Sequence, residues 1–370
     1  MKKILIKLIA LCLVICSTLT LFVGCGAGAV DNREVIELGV YPQTRVSEAE
    51  SQQLTDAVGD PTLLGTAGWR DYGYIVRKEK RVNQVDVIEI GLEGAMYYRD
   101  VTTASGDRYR GVYIKWNRTY NWYEGKSTSV DSWQDNCGYY REIESVTDKG
   151  IYWFKYEPIK WTVVAEDAET GLATLVSQVI LDSQPFQDGY FDFESKGIKV
   201  EELKQAVEGT VGANYLTNNY KNSDVRSWLN GTGYGTFYRT AFSNSAQKEE
   251  RSFIVNTEIE NNLSDRFFLL SYDEALEYYG NKDLRKKATT DYAQSQGAYT
   301  YIEDPYEDNY GGLGVWWLRS PDENSSKLAQ MVRLDGETAS STVSYTQYGV
   351  VPAMRVKISD VREYLTDKNN

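Results

Sequence analysis

The 370-residue chain contains no histidine, and that absence removes several chemistries at once. Imidazole-ligated zinc or copper centres, serine–histidine and cysteine–histidine nucleophile pairs and imidazole proton shuttles are all excluded. Paired carboxylates, a serine–lysine pair and tyrosine remain as sources of catalysis. Cysteine is nearly as scarce, with four residues, Cys12, Cys16, Cys25 and Cys137. The first two lie inside an N-terminal apolar run. If Cys25 is consumed as argued below, Cys137 is the one thiol left, no intramolecular disulfide can form, and stability must come from packing. Positive charge is short as well: 40 basic residues face 53 acidic ones, for a net charge of −13. No Lys/Arg cluster is large enough to overcome that balance, so nucleic acid is set aside as a partner. The chain also lacks a 20- to 50-residue repeat, a low-complexity block and a Pro/Gly/Ser linker. One domain with long loops is the reading that follows.

At the N-terminus, Lys2, Lys3 and Lys7 precede an uncharged apolar run from Leu8 to Gly24, 17 residues long. This is short for a spanning helix at about 1.5 Å per residue, and small residues follow it directly. The layout is that of a signal peptide over residues 1–24. Phe22-Val23-Gly24-Cys25 resembles a bacterial lipobox, with Phe22 where leucine is usual. The resemblance implies that Cys25 is lipidated. Two or more acyl chains then hold the protein stably at a bilayer. A plain signal peptide and an uncleaved anchor are the alternatives, and both fit less well, because Cys25 stands where the apolar run stops. Residues 25–34 are therefore expected to be a lipidated tether and residues 35–358 a single extracellular domain on the outer face of the cell membrane. Residues 359–370 are expected to form a C-terminal tail. Removal of residues 1–24 takes three lysines with it and leaves a charge of −16.

Strand and helix signals alternate along the domain. Val35 to Tyr41 reads as a strand ended by Pro42. Ser47 with Glu50, and Ser271 with Glu274, form capping boxes before short helices that end near Gly59 and Gly280. The second of these is expected to bury Ala275, Leu276 and Tyr279. A further helix is expected at Ser223 to Asn230, with Val225, Trp228 and Leu229 on one face and Gly231 as terminator. Ile159 to Ala165 and Leu172 to Leu181, joined by a polar turn, read as a hairpin. Val315 to Arg319, Leu328 to Leu334, Ser340 to Tyr345 and Ala353 to Ile358 are candidate strands, with Asp335-Gly336 a tight turn.

Several ordered blocks carry a family resemblance. They include Leu38 to Thr44, Tyr109 to Tyr113, Tyr152 to Trp161, Ile180 to Phe186, Ser223 to Asn230, Phe268 to Ser271, Trp316 to Pro321, Asp335-Gly336 and Gly349 to Ala353. Together they resemble the bacterial domain-of-unknown-function family 6273 over residues 36 to 358. A weaker resemblance links the aromatic-rich strand, the run ending in Asp-Gly and the final Gly-x-x-x-Ala-x-Arg strand to the formylglycine-generating-enzyme and C-type-lectin-like folds. It implies an α+β, C-type-lectin-like / sulfatase-modifying-factor-like domain with short strands, few short helices and long loops. It also implies that Val35 to Tyr41 pairs with Ala353 to Ile358. The enzymes of that superfamily use a cysteine pair that the mature chain lacks, which favours binding over catalysis.

Nine of the 32 residues from Tyr109 to Tyr140 are aromatic. Aromatic faces among polar residues suit sugar rings. Tyr109, Tyr113 and Trp116 alternate as strand residues and are assigned to the core. Tyr120, Trp122, Tyr123 and Trp133 are the candidate binding residues, joined by Trp317 and Arg319, since adjacent strand residues such as Trp316 and Trp317 face opposite sides. Asp304, Glu307, Asp308 and Asn309 form an acidic loop of the type calcium prefers, as do Asp188, Asp192 and Glu194, though no EF-hand spacing is present and a solvated loop is the simpler reading. No cofactor is expected, calcium standing as the alternative. The expected function is a noncatalytic, membrane-anchored surface module for a glycan, a cell-wall or host polymer, or a protein. A carboxylate-dependent hydrolase is the alternative.

Overall fold

The computed structural model describes residues 31–58, 68–72, 96–114, 151–187, 218–242, 247–260, 262–301 and 312–368, with the backbone of five short strands between 76 and 142. The N-terminal half supplies β1 (Val35–Arg45), α1 (Glu48–Val58), β2 (Arg70–Asp71), β3 (Met96–Thr102), β4 (Arg108–Ile114), β5 (Ile151–Asp167), β6 (Leu172–Ser177) and β7 (Asp182–Ser183). Then come α2 (Asp224–Asn230), α3 (Phe237–Phe242), α4 (Glu250–Phe253), β8 (Ile254–Val255), β9 (Phe267–Phe268), α5 (Tyr272–Tyr278), α6 (Lys282–Arg285) and α7 (Asp291–Ser295). The chain ends with β10 (Trp316–Pro321), β11 (Leu328–Val332), β12 (Thr338–Thr342), β13 (Gly349–Val350), β14 (Ala353–Lys357) and α8 (Ile358–Lys368). Helices and a larger share of strand make this an α+β chain.

The long strand β5 organises the larger sheet. β1 runs antiparallel along it from Arg45↔Phe154 to Val35↔Thr162. Residues 154–155 and 161–162 are therefore already paired on that edge. The opposite edge is shared in tandem by β4, over Ile151 to Lys155, and β6, over Trp161 to Asp167. The sheet order is β8-β14-β6-β5-β4-β3-β2, with β9 also on β14. A second sheet has the order β7-β13-β10-β11-β12.

Three expectations are corrected here. Pro42 does not end its strand: β1 continues to Arg45, and a register shift between Pro42 and Thr44 accommodates the missing donor, as suits proline on a strand with a free edge. The first strand does not pair with the last. β14 instead lies beside β6, because the β5–β6 hairpin is inserted between them. Finally, residues 359–368 are no tail. They form α8, which buries Val361, packs Tyr364 and Leu365 on the core, and pairs Arg362 with Glu34 and Glu166.

The local signals otherwise act as anticipated. Ser223 caps α2 by accepting from the Arg226 amide. Ser271 and Glu274 make both bonds of a capping box on α5, where Ala275 and Tyr279 are buried and Leu276 is half-buried. At the Asp335-Gly336 turn between β11 and β12, Gly336 has φ +78°, and a Cβ there would stand 2.0 Å from the Lys282 carbonyl oxygen. Only glycine fits.

Strand alternation sorts the aromatic side chains into three cores. Trp317 points into the main core, with Trp161, Phe154, Phe186 and Phe237. Trp316 and Leu318 point the other way, against Tyr279, Phe268 and Val351. Behind β4 and β5, Trp69, Tyr109, Tyr113, Ile151 and Trp153 pack under α1 through Leu54 and Val58. Each fully buried side chain of this size contributes about 1.5–3 kcal/mol.

Candidate functional site

Register decides which side chains meet on the face of the sheet opposite α1. Arg70 of β2 lies across from Tyr98 of β3, and Asp100 lies across from Arg110 of β4, which in turn faces Phe154 of β5. Alternation puts Arg70, Tyr98, Asp100, Arg108, Arg110 and Tyr156 on this one face.

The floor of the site is a polar network built on buried Arg110, Tyr156 and Tyr292, with Asp100 reaching solvent at its edge. Arg110 is 2% exposed and grips Asp100 with two bonds, Nε to Oδ1 at 2.7 Å and Nη2 to Oδ2 at 2.8 Å. Tyr156 donates its hydroxyl to Asp100 Oδ1 at 2.9 Å. Arg110 Nη1 donates to the Tyr292 hydroxyl at 3.2 Å, and that hydroxyl shares a 2.7 Å bond with Tyr72. Bidentate pairs of this type fix geometry as well as charge. Burial pushes the Asp100 carboxyl up, but the charge and hydrogen bonds of Arg110 outweigh it and hold the carboxyl below its usual range. Burial acts downward on Arg110, and the Asp100 charge more than compensates, leaving the guanidinium well above its ordinary value. Nearby, Tyr41 donates to Asp182 at 2.6 Å, and the other Asp182 oxygen accepts from the Ser183 amide and Gln184. Burial, then the Asp182 charge, drives the Tyr41 hydroxyl well above 10.

Above this floor, arginine and tyrosine alternate. The Arg108 guanidinium sits 4.0 Å over Tyr156, and Arg110 sits 4.4 Å over Tyr98. Tyr98 stacks on Tyr72 with centroids 4.5 Å apart. The loop after α2 closes over these rings. Its Gly235 adopts φ +81° and places its backbone against Tyr72 and Tyr98, while its carbonyl accepts from Trp228 Nε1 at 3.0 Å. The same loop lifts Tyr234 to 60% exposure. Arg70 lies 3.6 Å from the Tyr234 ring centroid and Arg239 4.1 Å. Van der Waals contact leaves room for one guanidinium over each ring face at these distances, so the ring is held between the two.

Asp100, Asp265 and Glu274 are each engaged by an arginine, respectively Arg110, Arg226 and Arg319. Among the described residues no group of three or more Cys, Asp or Glu side chains is arranged to hold a metal ion, and no helix is long and apolar enough to cross a membrane.

The residues singled out in the sequence are placed differently. Trp317 is fully buried, with Nε1 donating to the Gln184 carbonyl at 2.9 Å and its ring against Phe186 and Tyr348. It presents no face to a sugar. Trp316 is equally buried, because both sides of β10 are covered. Arg319 is 4% exposed and saturated by Glu260, Glu274 and the carbonyls of Leu269 and Ile259. It locks α5 to β10 and is structural. Tyr109 and Tyr113 are core, as assigned. Trp122, Tyr123 and Trp133 lie on short strands whose side chains are outside the described residues, and so do Cys25, Trp116, Tyr120 and Cys137. The acidic stretches 304–309 and 188–194 also fall outside them. The residues missed are Arg70, Tyr98, Arg108, Arg110, Tyr234 and Arg239. Arg108-Tyr109-Arg110 alternating inside a strand, and the Gly-flanked Tyr234, were the available signals.

Residues 200–358 match the family model described as a domain of unknown function, DUF6273. This supports the later of the ordered blocks. No curated protein and no solved structure matches the chain. Tyr234, Arg239 and Tyr292 fall within the matched segment, whereas Arg70, Tyr98, Asp100, Arg110 and Tyr156 precede it.

Proposed function

We propose that the chain is a membrane-anchored surface lipoprotein whose α+β domain binds a ligand without catalysis. One observation supports the binding reading most: an exposed aromatic ring carrying two guanidinium groups stands on a rigid floor whose own carboxylate is already committed. The uncharged run ending at Gly24-Cys25 supports the anchor, with residues 1–24 as signal peptide, Cys25 as the lipidated residue and the outer face of the cell membrane as location. A C-type-lectin-like or sulfatase-modifying-factor-like ancestry belongs to this proposal on the strength of the ordered C-terminal strands, although the first-to-last strand pairing it implied is not present.

The test is a glycan and peptidoglycan array probed with residues 30–370, alongside detergent partitioning of the full chain. Binding without turnover, lost on replacing Tyr234 by Ala, is the expected result. Turnover that collapses when one or two carboxylates become amides would establish the hydrolase instead. Labelled lipid that persists on Cys25→Ser would overturn Cys25 as the lipidated residue.

A further inference from the structure

We infer that the Arg70–Tyr234–Arg239 clamp recognises an anionic chain, a polymer carrying oxyanions at short intervals, rather than a neutral sugar. The inference rests on the binding reading above and names its ligand class. A neutral glycan on an aromatic platform needs a free ring face. On Tyr234, 60% exposed, the faces are already engaged: the Arg70 guanidinium lies 3.6 Å and the Arg239 guanidinium 4.1 Å from the ring centroid. The presented groups are therefore the guanidiniums, and the ring serves to hold them apart. The sum of those two distances limits the separation of their carbon atoms to about 8 Å, close enough for two neighbouring oxyanions of one chain to meet both.

The charges around the clamp point the same way. Among the described residues no carboxylate lies within ion-pair distance of Arg70 or Arg239, whereas Arg110, Arg226, Arg319 and Arg362 each have one or two. Burial is the largest influence on the Tyr98 hydroxyl beside the clamp and raises it; among the charges that act on it, Arg110 is paired with Asp100, and Arg70 and Arg239 add two further cations. In a protein of net charge −13 this is a local reversal of sign, which draws an anion to one place while the remaining surface repels it. Stacking engages the flat face of each guanidinium and leaves N–H groups at its edge, of which Arg239 spends one on the Thr232 carbonyl; such edges suit an oxyanion. The loop geometry orders the arrangement before any ligand arrives: Thr236 Oγ1 is within 2.7 Å of both the Gly231 and Gly233 carbonyls, and Arg239 Nη1 donates to the Thr232 carbonyl at 3.2 Å.

Binding of residues 30–370 to three probes, inorganic polyphosphate, polygalacturonate and neutral dextran, tests this by calorimetry at low and moderate salt. Polyphosphate, polygalacturonate or both should bind, more weakly as salt rises, and dextran should not. Preference between the first two identifies phosphate or carboxylate as the recognised group. Arg70→Gln and Arg239→Gln should each weaken binding at least about tenfold. Arg362→Gln, the same charge change at a guanidinium already committed to Glu34 and Glu166, should leave it unchanged. Tyr234→Phe should bind like wild type and Tyr234→Ala should lose the clamp. Unchanged melting temperatures for the variants of exposed Arg70 and half-buried Arg239 confirm that the fold is intact. Dextran binding that ignores the arginine variants would overturn the inference while sparing the binding reading. Equal weakening by Arg362→Gln would reduce it to net charge. Failure of these probes and of every glycan on the array would overturn both.

Discussion

Lys287 is 5% exposed, and among the described residues its ammonium has one hydrogen-bond partner, the Tyr279 hydroxyl at 3.3 Å, with the Tyr279 ring 4.8 Å away. The Arg33 guanidinium lies 4.7 Å from the centroid of the same ring. Burial is the largest influence on this amine and lowers it to about 8 from an ordinary 10.5, against a small upward pull from Asp31 and a small downward push from Arg33. The folded state therefore binds fewer protons than the unfolded state between about pH 8 and 10.5. Stability must rise with pH across that window. At about 1.4 kcal/mol per pH unit, the folded protein should gain roughly 2 kcal/mol between pH 7 and 9.5, and about 3 by the end of the window. Buried tyrosines oppose this above pH 9.5, because burial raises Tyr41, Tyr156, Tyr220 and Tyr279 while their unfolded counterparts ionise near 10. The difference between wild type and Lys287→Met cancels most of that effect. In urea unfolding, Lys287→Met should be more stable than wild type at pH 7, by up to about 3 kcal/mol, and the gap should shrink by roughly 2 kcal/mol at pH 9.5. Parallel stability curves for the two proteins, or a Lys287→Met chain that fails to fold, would refute the reasoning, since either would mean that the buried amine is not penalised for its charge.

Other substitutions separate strain, ion pairing and surface charge. Gly39 sits at a bulge with φ +71°, and a Cβ there would meet Phe242 Cζ at 2.6 Å, so Gly39→Ala should cost about 3 kcal/mol by thermal unfolding. Gly171→Ala, at φ +69° with open space around it, should cost only about 1–2 kcal/mol; equal costs would show that the Phe242 contact relaxes freely. Arg319→Met leaves Glu274 and Glu260 without their cation and should lose about 3 kcal/mol in urea unfolding, with a loss below 1 kcal/mol arguing against a structural role. Arg362→Gln, despite short contacts to Glu34 and Glu166, is exposed and should change stability by less than about 1 kcal/mol.

What could be read from the sequence was what local chemistry dictates. Ser271 with Glu274, and Ser223 before its helix, specify helix starts through amide donors within one turn, and the structure forms both caps. The β5–β6 hairpin and the Asp335-Gly336 turn are equally local. The errors came from long-range pairing. The 17 residues of β5 show no sign, as a string, that the strand will hold β1 on one edge and two partners in tandem on the other, and that insertion is why the first and last strands lie apart. Trp317 was misjudged for a related reason. Alternation correctly put it opposite Trp316, but whether a sheet face is wet depends on what covers it, and here Phe186 and Tyr348 do.

The clamp was hidden by distance as well as by composition. A search for aromatic residues in polar loops finds Tyr120 to Tyr140 and passes over Tyr234, a lone ring in the Gly-rich turn between Trp228 and Phe237. Its partners come from β2, 164 residues before it, and from α3 just after it. No periodicity links such positions; only the register that sets Arg70 beside Tyr98, and the glycine that lays the loop on Tyr98, brings them together. The floor explains why the arrangement holds. Arg110 takes up Asp100, the carboxylate nearest the clamp whose charge reaches Tyr98. Without Arg110, that carboxylate would stand uncompensated beneath two guanidiniums and would compete with any anion for them. On the proposed reading, the Arg110–Asp100 pair acts at a distance from the ligand, by keeping Asp100 from pairing with Arg70 or Arg239.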